Sequence, residues 1–543
     1  MNKQNTVNML LSCLIILLFS ACFSGWKSDE GAIIINLGGE GRAVWPPSSA
    51  MLAKMDYTVT LSGNGEVIKR TSKGSGTIRT TVSVGRWNVQ VDASYEKEPY
   101  ASGSASAEVK AGQNNQVSIQ ISQVIKFYKE FYAANEGEWN EARTAIANEE
   151  SDTDLNYAIN VTKDFKLPGS TENTFGKVKG INIYVRGNHT ISLYSQGNIL
   201  RIGAGQTVTL QDTGFAGLTN GKNGADMDNN TQLVFMENTS SIFIMTGSAS
   251  LSGNTGGGVS VAGTFIMKGG SINNNSGACV YSQGRNTFIM DGGSISDNSG
   301  LCVYILASCT FTMNGGTISG NTGTIIIESN CTFNMTGGSI NNNSSTSDGS
   351  GVYVGGTFNM TGGTISGNRG TYPYNNYNSG GGVYLNNGTF NMSDGTISNN
   401  SCTGNGGGVY VSGTFNMSGG TISGNYTAAR SSSYGNGGGI YVSSGTFNMT
   451  GGNISGNTAN SAGGGVYTNY TTFRMAGGTV YGIEAVDTLA NRAAMGAALF
   501  SNDTTRTGYG TFAIPDDPAS WTRNGTLDTT EETIRVVNGV LRE

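Results

Sequence analysis

Few residues in the middle of this chain could do acid–base work. The acids there are Asp291, Asp297, Glu328, Asp348 and Asp394, and the basic residues are Lys268, Arg285, Arg369, Arg430 and Arg474. Two or three carboxylates converging on one face would suit hydrolysis of a glycosidic bond, and calcium with an Arg or Lys base would suit its elimination. The spacing does not bring such a set together. Asp291 and Asp297 share one repeat at different phases, Asp394 replaces a corner Gly, and no two acids hold one phase in adjacent repeats. No catalytic residue is assigned on that basis, and the chain reads as a non-enzyme. Metal chemistry is equally short of ligands, because His189 is the single His and no Cys-x-x-Cys pair occurs. Asp226 and Asp228 with Asn229 and Asn230 cluster oxygens as a calcium loop does, but without EF-hand spacing, and a solvated turn is the plainer reading. Neither a metal nor a cofactor is expected.

What positions these residues is a phrase that returns from about Thr264 to Gly482. It reads Thr-Phe-x-Met, then Gly-Gly-x-Ile, then a polar step ending in Asn, often followed by Gly-Gly-Gly-Val-Tyr. Phe265, Phe288, Phe311, Phe333, Phe358, Phe390, Phe415, Phe447 and Phe473 hold one place in it, at gaps of 23, 23, 22, 25, 32, 25, 32 and 26. Such a period marks a solenoid, whose units bury their apolar faces only against neighbours. Apolar residues alternate, as in Phe358-Asn359-Met360 and Val383-Tyr384-Leu385, which is the period of a strand. Gly, Ser, Thr and Asn fill the space a helical repeat would need, and no Leu-x-x-Leu-x-Leu frame is present. Three short strands per turn with tight Gly and Asn corners give an all-β parallel β-helix.

The Asn closing each polar step keeps one register: Asn254, Asn275, Asn298, Asn321, Asn343, Asn368, Asn400, Asn425 and Asn457. Stacked rungs lie roughly 4.8 Å apart, so these amides can form a ladder. Asn also tolerates a left-handed corner. Turn formation alone would explain each Asn singly, but not their register.

At 543 residues with Gly at 83, the chain exceeds one ordinary core, yet a solenoid makes it quasi-linear. Only 13% of residues are charged and the net charge is −6, with no basic stripe, which argues against nucleic acid. At the N-terminus Lys3 precedes the apolar run Met9 to Phe19, too short to span a bilayer, and the run ends in Phe19-Ser20-Ala21-Cys22. Small residues before a Cys resemble a bacterial lipobox, which implies lipidation at Cys22; the alternative is ordinary cleavage after Ala21. A lipid there would anchor the chain to a membrane without spanning it. Cys279 and Cys302 occupy equivalent places before Val-Tyr pairs, and Cys309 and Cys331 before Thr-Phe pairs. Small apolar fillers in a stack are the plain reading, with a cross-rung disulfide as the alternative.

The remaining organisation follows in order. Residues 1–21 form the signal peptide and 22–30 a tether. Residues 31–122 alternate as the short strands of a β-sandwich, which would be a spacer or a sugar-binding module. In 123–150, Trp139, Ala142 and Ile146 share one helical face and predict a helix capping the open end of the solenoid. The solenoid itself spans 151–483, with regular repeats at 264–482, and 484–543 supply final coils and a closing hairpin at Thr533 to Leu541. Nothing in that last stretch resembles a membrane barrel, so self-secretion is not expected. Two repeats carry insertions at one phase, 369–378 and 426–436, rich in Tyr and Asn. Insertions at one phase project from one face, often a binding face, which makes Tyr372, Tyr374, Tyr377, Tyr426 and Tyr434 the candidate ligand contacts, or else tolerated insertions without a ligand. Tyr384, Tyr410, Tyr441 and Tyr467 recur in register, and alternation with an inward Val puts them outside, as an exposed aromatic stack or equally as structural stacking on a flat sheet.

Gly269-Gly270-Ser271-Ile272 and Gly362-Gly363-Thr364-Ile365 resemble the Gly-Gly-x-Ile repeats of chlamydial polymorphic outer-membrane proteins. They are similar too to the pectin-lyase-like repeats of many spirochaete and Bacteroidetes surface lipoproteins. The likeness covers about Gly247 to Gly482 and implies a right-handed helix. The companion Phe-x-x-Asn motif of the chlamydial family is replaced by Phe-x-Met. Val84 to Val91 look like the strand-turn-strand centre of prealbumin-like (Ig-like) modules. The expected protein is a monomeric, lipid-anchored cell-envelope protein, structural or adhesive toward a glycan or host surface protein. The alternative is a carbohydrate-active enzyme on a neutral glycan, with Asp291 and Asp394 as the first residues to substitute.

Overall fold

The computed structural model describes residues 30–37, 54–74, 76–95, 98–117, 119, 122–123, 125–149, 155–218, 229–371, 377–428, 435–469, 471–486 and 488–501, with short strands at 512–513, 529–530, 534–537 and 540–542. Cys22, Asp226, Asp228, Tyr372, Tyr374 and Tyr434 lie outside the described residues. The chain divides into two units, Met1–Lys126 and Phe127–Glu543.

In the first unit a three-stranded sheet (Gly76–Ser83, Glu30–Leu37, Asn114–Gln116) and a five-stranded sheet (Glu66–Lys73, Asp56–Gly63, Gly85–Tyr95, Glu98–Val109, Ser122–Gln123) share one core. Ile33, Ile35 and Val82 of the smaller sheet face Tyr57, Val59, Leu61, Trp87, Val89 and Val91 of the larger. The strand Glu66–Lys73 is invisible to alternation because it lies at the sheet edge and carries Lys69, Arg70 and Lys73, the charges that blunt edge-to-edge pairing. Asn64-Gly65, both at positive φ, turn the chain between it and Asp56–Gly63.

The second unit is a parallel β-helix. Its first strand, Lys129–Ala133, pairs in parallel with Leu155–Val161, and the helix Glu136–Ala147 lies between them in sequence. Asn135 caps that helix by accepting from the Glu138 N–H at 3.0 Å, and the Glu138 carboxylate accepts in return from the Ala134 N–H at 2.6 Å. Trp139, Ala142 and Ile146 are buried on its inner face, with the Trp139 ring 6.4 Å from Phe165 and 6.5 Å from Phe175. The solenoid core is thereby covered at its first coil.

Each regular coil then contributes three strands. Val280–Gln283, Thr287–Met290 and Ser294–Ser296 make one coil, and they pair in register with Val303–Leu306, Thr310–Met313 and Thr317–Ser319 of the next. Inward residues are fully buried and outward ones partly covered, as alternation requires. Phe358 and Phe390 lie one above the other, rings 4.6 Å apart and 4° from parallel. The column begins one coil before the regular phrase, at Phe243, whose ring stacks 5.4 Å from Phe265. Each fully buried Phe contributes about 1.5–3 kcal/mol, and ring pairing adds about 0.5–1.5 kcal/mol.

Two left-handed positions bend every coil. The second Gly of Gly-Gly-x-Ile has φ of 80° at Gly293 and 83° at Gly363, and a Cβ there would fall 2.8 Å and 2.6 Å from the Met Cε of the coil before. Only Gly meets both demands. The other left-handed residue corrects an expectation: it is not the ladder Asn but the residue before it, as in Asn274 (54°), Asp297 (56°), Gly320 (66°) and Asn342 (52°). Placing the strain one residue earlier leaves the ladder Asn free to point inward.

At the far end the pairing changes hand. Phe512–Ala513 still pair in parallel with Phe473 and Arg474, but Ile534–Val537 run antiparallel to Gly478–Val480, and Val540–Arg542 antiparallel to Ile534–Val537. A hairpin on the last rung covers an edge that would otherwise template another chain.

Candidate functional site: the columns of the solenoid

The nine ladder residues, Asn254 through Asn457, are all buried and aligned. Asn343 shows the pattern. Its backbone N–H and its Nδ2 both donate to Asn368 Oδ1, at 3.0 and 2.9 Å, and Nδ2 also donates to the Ile318 carbonyl at 3.0 Å. Both amide protons and both lone pairs are used, so the residue is fully satisfied in an apolar interior, and the bonds polarise one another along the column. The ladder has two members that the repeat phrase does not reveal. Asn229 donates to Asn254 Oδ1 at 2.9 Å, and Asn457 donates to Asn491 Oδ1 at 3.0 Å. Asn229 sits in a polar run that reads as a loop, and ten residues separate Asn491 from Val480 where two separate Asn457 from Ile454.

A second amide ladder lies outside, on the Phe-x-Met strands. Asn359 donates to Asn334, Asn391 to Asn359, Asn416 to Asn391 and Asn448 to Asn416, each at 2.9 Å. Treating the middle residue of Phe-x-Met as variable hides it. Next to it, the outer face of the Ile strands carries two ranks of short uncharged side chains. Ser294, Thr317 and Ser339 form one, Ser296, Ser319 and Asn341 the other.

The aromatic column is in register but differs from an exposed stack. Tyr384 and Tyr410 stack at 4.6 Å and Tyr441 and Tyr467 at 5.0 Å, yet Tyr441 is 8% and Tyr467 only 7% exposed. Tyr441 and Tyr467 pack with Ala462 in a small core flanked by Tyr410 and Phe500. The first Gly of each triplet lies close to the strand it precedes: Gly380, Gly437 and Gly463 have φ of 66–68°, and a Cβ on them would lie 2.7–2.8 Å from the Cα or Cβ of Tyr384, Tyr441 and Tyr467. The second Gly of each triplet abuts the insertion: a Cβ at Gly407 would lie 2.7 Å from the Tyr426 backbone. The third faces inward, where a Cβ at Gly408 would lie 3.0 Å from the ladder amide of Asn425. Gly-Gly-Gly is therefore one demand made three times, against three different neighbours.

The insertions begin as an extra sheet at this corner, built of Ser344–Ser345, Arg369–Gly370, Ser401–Cys402 and Tyr426–Thr427. Of the five candidate Tyr, Tyr426 opens one of these strands and is 43% exposed. Tyr377 is half-buried in the insertion two coils earlier, with the coil of Asn400 between them.

The acids stay apart. Asp291 accepts from Asn314 Nδ2 at 2.8 Å and Asn314 in turn from Thr336 Oγ1 at 2.9 Å, a chain along one corner. Asp297 is a left-handed corner, Asp394 accepts from the N–H of its own neighbour Gly395 at 2.7 Å, and Glu328 faces the Tyr304 hydroxyl at 3.4 Å. Asp348 begins another column. It accepts from the Ser379 N–H at 2.7 Å, Ser379 Oγ from the Asn405 N–H at 3.2 Å, and Asn405 Oδ1 from the Asn436 N–H at 2.9 Å. Burial holds the Asp348 carboxyl above its ordinary range against the opposing pull of the Ser379 N–H, and its charge helps raise the hydroxyls of Tyr384 and Tyr410. Burial also pushes the Cys402 thiol up to about 12. Among the described residues, no three of His, Cys, Asp and Glu gather as a metal site would need. No family model matches the chain, and no curated protein or solved structure matches it either.

Proposed function

We infer that this chain is a lipid-anchored bacterial cell-surface protein whose β-helix serves as a structural or adhesive surface for a glycan or a host protein. The observation that carries the reading is the outer surface itself. Its ranks of Ser, Thr and Asn repeat from coil to coil at roughly 4.8 Å, short, uncharged and hydrogen-bonding. Such a face suits a neutral, extended partner with its own regular hydroxyls or amides. Tyr377 and Tyr426 flank it at the inserted corner, and Tyr pairs apolar area with a hydrogen-bonding tip. Attachment follows from Phe19-Ser20-Ala21-Cys22, as a lipidated N-terminus in the manner of the surface lipoproteins that the Gly-Gly-x-Ile repeats resemble.

An array of glycans and matrix proteins, probed with the full chain and with variants lacking 369–378 or 426–436, tests the adhesive role. Binding that falls on deletion supports it, whereas no binding anywhere on the array contradicts it. Protease treatment of intact cells tests the location, since a surface protein is removed and full protection means the opposite side of the envelope. The enzymatic alternative has one observation in its favour, the half-buried Asp348 beside Tyr384 and Tyr410. Assay of a polysaccharide panel for new reducing ends or unsaturated sugars decides it, with Asp348, Asp291 and Asp394 substituted in turn.

A further inference from the structure

Four of the five described cysteines form two vertical pairs. Cys279 and Cys302 directly precede the register partners Val280 and Val303, and Cys309 and Cys331 directly precede the partners Thr310 and Thr332. Both pairs sit one rung apart, about 4.8 Å between backbones, inside the roughly 4.4–6.8 Å Cα separation that a disulfide spans. All four are buried free thiols. Burial and the neighbouring Cys279 thiol raise the Cys302 thiol, and the Cys331 sulfur lies against the Cys309 amide. The Cys309 thiol turns the other way, toward the Gly284 and Leu306 carbonyls, so the second bridge needs a rotation about its Cα–Cβ bond.

Packing does not demand sulfur at these places. The first column continues upward as Thr324, Gly351, Gly382 and Gly408, and the second as Gly356, Gly388 and Gly413. The pairs also occur only where other external support is thin. They join coils below the corner sheet, which begins at Ser344.

We propose that Cys279–Cys302 and Cys309–Cys331 close as two cross-coil disulfides when the chain folds in the presence of a small-molecule disulfide oxidant. One thiolate of a pair attacks the oxidant and expels one of its sulfurs as a thiolate. The partner cysteine then attacks the protein sulfur of the mixed disulfide and expels the second. The pair loses two protons and two electrons, and the oxidant is reduced to two thiols. Burial disfavours the Cys302 and Cys331 thiolates, so closed coils react slowly and the bridges form as the coils assemble. Cys402, alone in its column with its sulfur on the Asn405 carbonyl, stays reduced.

The test is to unfold and reduce the full chain, refold it with glutathione and glutathione disulfide, alkylate free thiols, and map the peptides by mass spectrometry. Linkage of Cys279 to Cys302 and of Cys309 to Cys331, with Cys402 alkylated, is expected. The Cys279→Ser/Cys302→Ser variant should keep the other bridge. Each bridge closes a loop of just over twenty residues and should shift the unfolding equilibrium roughly a hundredfold toward the native state. Four alkylated thiols after refolding, or bridges joining any of the four to a different cysteine, overturn the proposal.

Discussion

The coils carrying Phe265, Phe288 and Phe311 and those carrying Phe390, Phe415 and Phe447 have the same interior and different exteriors. Inside, Phe rings stack at 4.6–4.9 Å in both, and the Asn ladder runs through both without a break. Outside, Tyr281 and Tyr304 meet edge-on at 5.9 Å and 65°, whereas Tyr384 and Tyr410 lie flat at 4.6 Å and 8°. The early coils span 22–23 residues and the later ones 25–32. The added residues change nothing in the core. They build a fourth strand at one corner, and in the last coils Ala462 packs on Tyr441 and Tyr467, so exterior length converts a surface column into a second small core.

The largest effect is expected where the two regions agree. Asn368→Ala removes the acceptor of two buried donors from Asn343 and the amide that donates to the Ile340 carbonyl, a cost of about 3–5 kcal/mol. Asn298→Ala should cost as much by urea unfolding, since its bonds are the same in kind. A marked difference between the two would mean that the interior is not shared. Next come substitutions that should separate the regions. Tyr441→Ala empties a covered site and should cost about 3 kcal/mol, against less than about 1 kcal/mol for the partly exposed Tyr281→Ala. Equal losses would deny the cover any role. Smaller again is the third position of the glycine triplet. Gly408→Ser crowds the Asn425 amide and should cost about 1–3 kcal/mol, while Cys302→Ser, in the column that already holds Thr324 one coil on, should cost less in thermal unfolding of the reduced protein.

The smallest effect concerns Asp348. Its folded-state pKa lies above the ordinary carboxyl value, so its contribution is present below the ordinary carboxyl range and lost as pH rises through the raised value. Asp348→Asn keeps an oxygen for the Ser379 N–H, as Asn405 does for the next coil. The variant should match the parent in acid and slightly exceed its melting temperature near neutral pH. A variant less stable at both would show that the carboxylate itself is needed.

Much of this was legible in the sequence because the repeat is read many times over. Phe, Ile and Asn recur at fixed phase, and each carries its own physical reason, apolar burial for two and full amide satisfaction for the third. The capping face of Trp139, Ala142 and Ile146 was legible from spacing alone. Elsewhere single-residue rules misled. Asn is tolerated in left-handed corners, so the ladder residue was expected there, but the strain belongs to its predecessor, where Gly, Asn and Asp alternate. Period-two alternation put Tyr441 and Tyr467 outside the Val strands, and it cannot register the packing of Ala462 over them. The outer Asn ladder was hidden because its early positions are Ile266, Ile289 and Thr312. Surface function is the least legible, since a face of Ser, Thr and Asn fits many neutral partners.

The central claim is that one coil is the unit of this solenoid, and excision tests it most directly. Deleting the 22 residues 311–332 joins Thr310 to Phe333 and preserves every column, whereas deleting the 11 residues 311–321 shifts all of them out of phase. Far-ultraviolet circular dichroism with urea unfolding should show the first variant strand-rich and cooperative and the second largely unfolded. Equal damage from both deletions, or equal tolerance of both, would contradict a stack held by columns one coil apart.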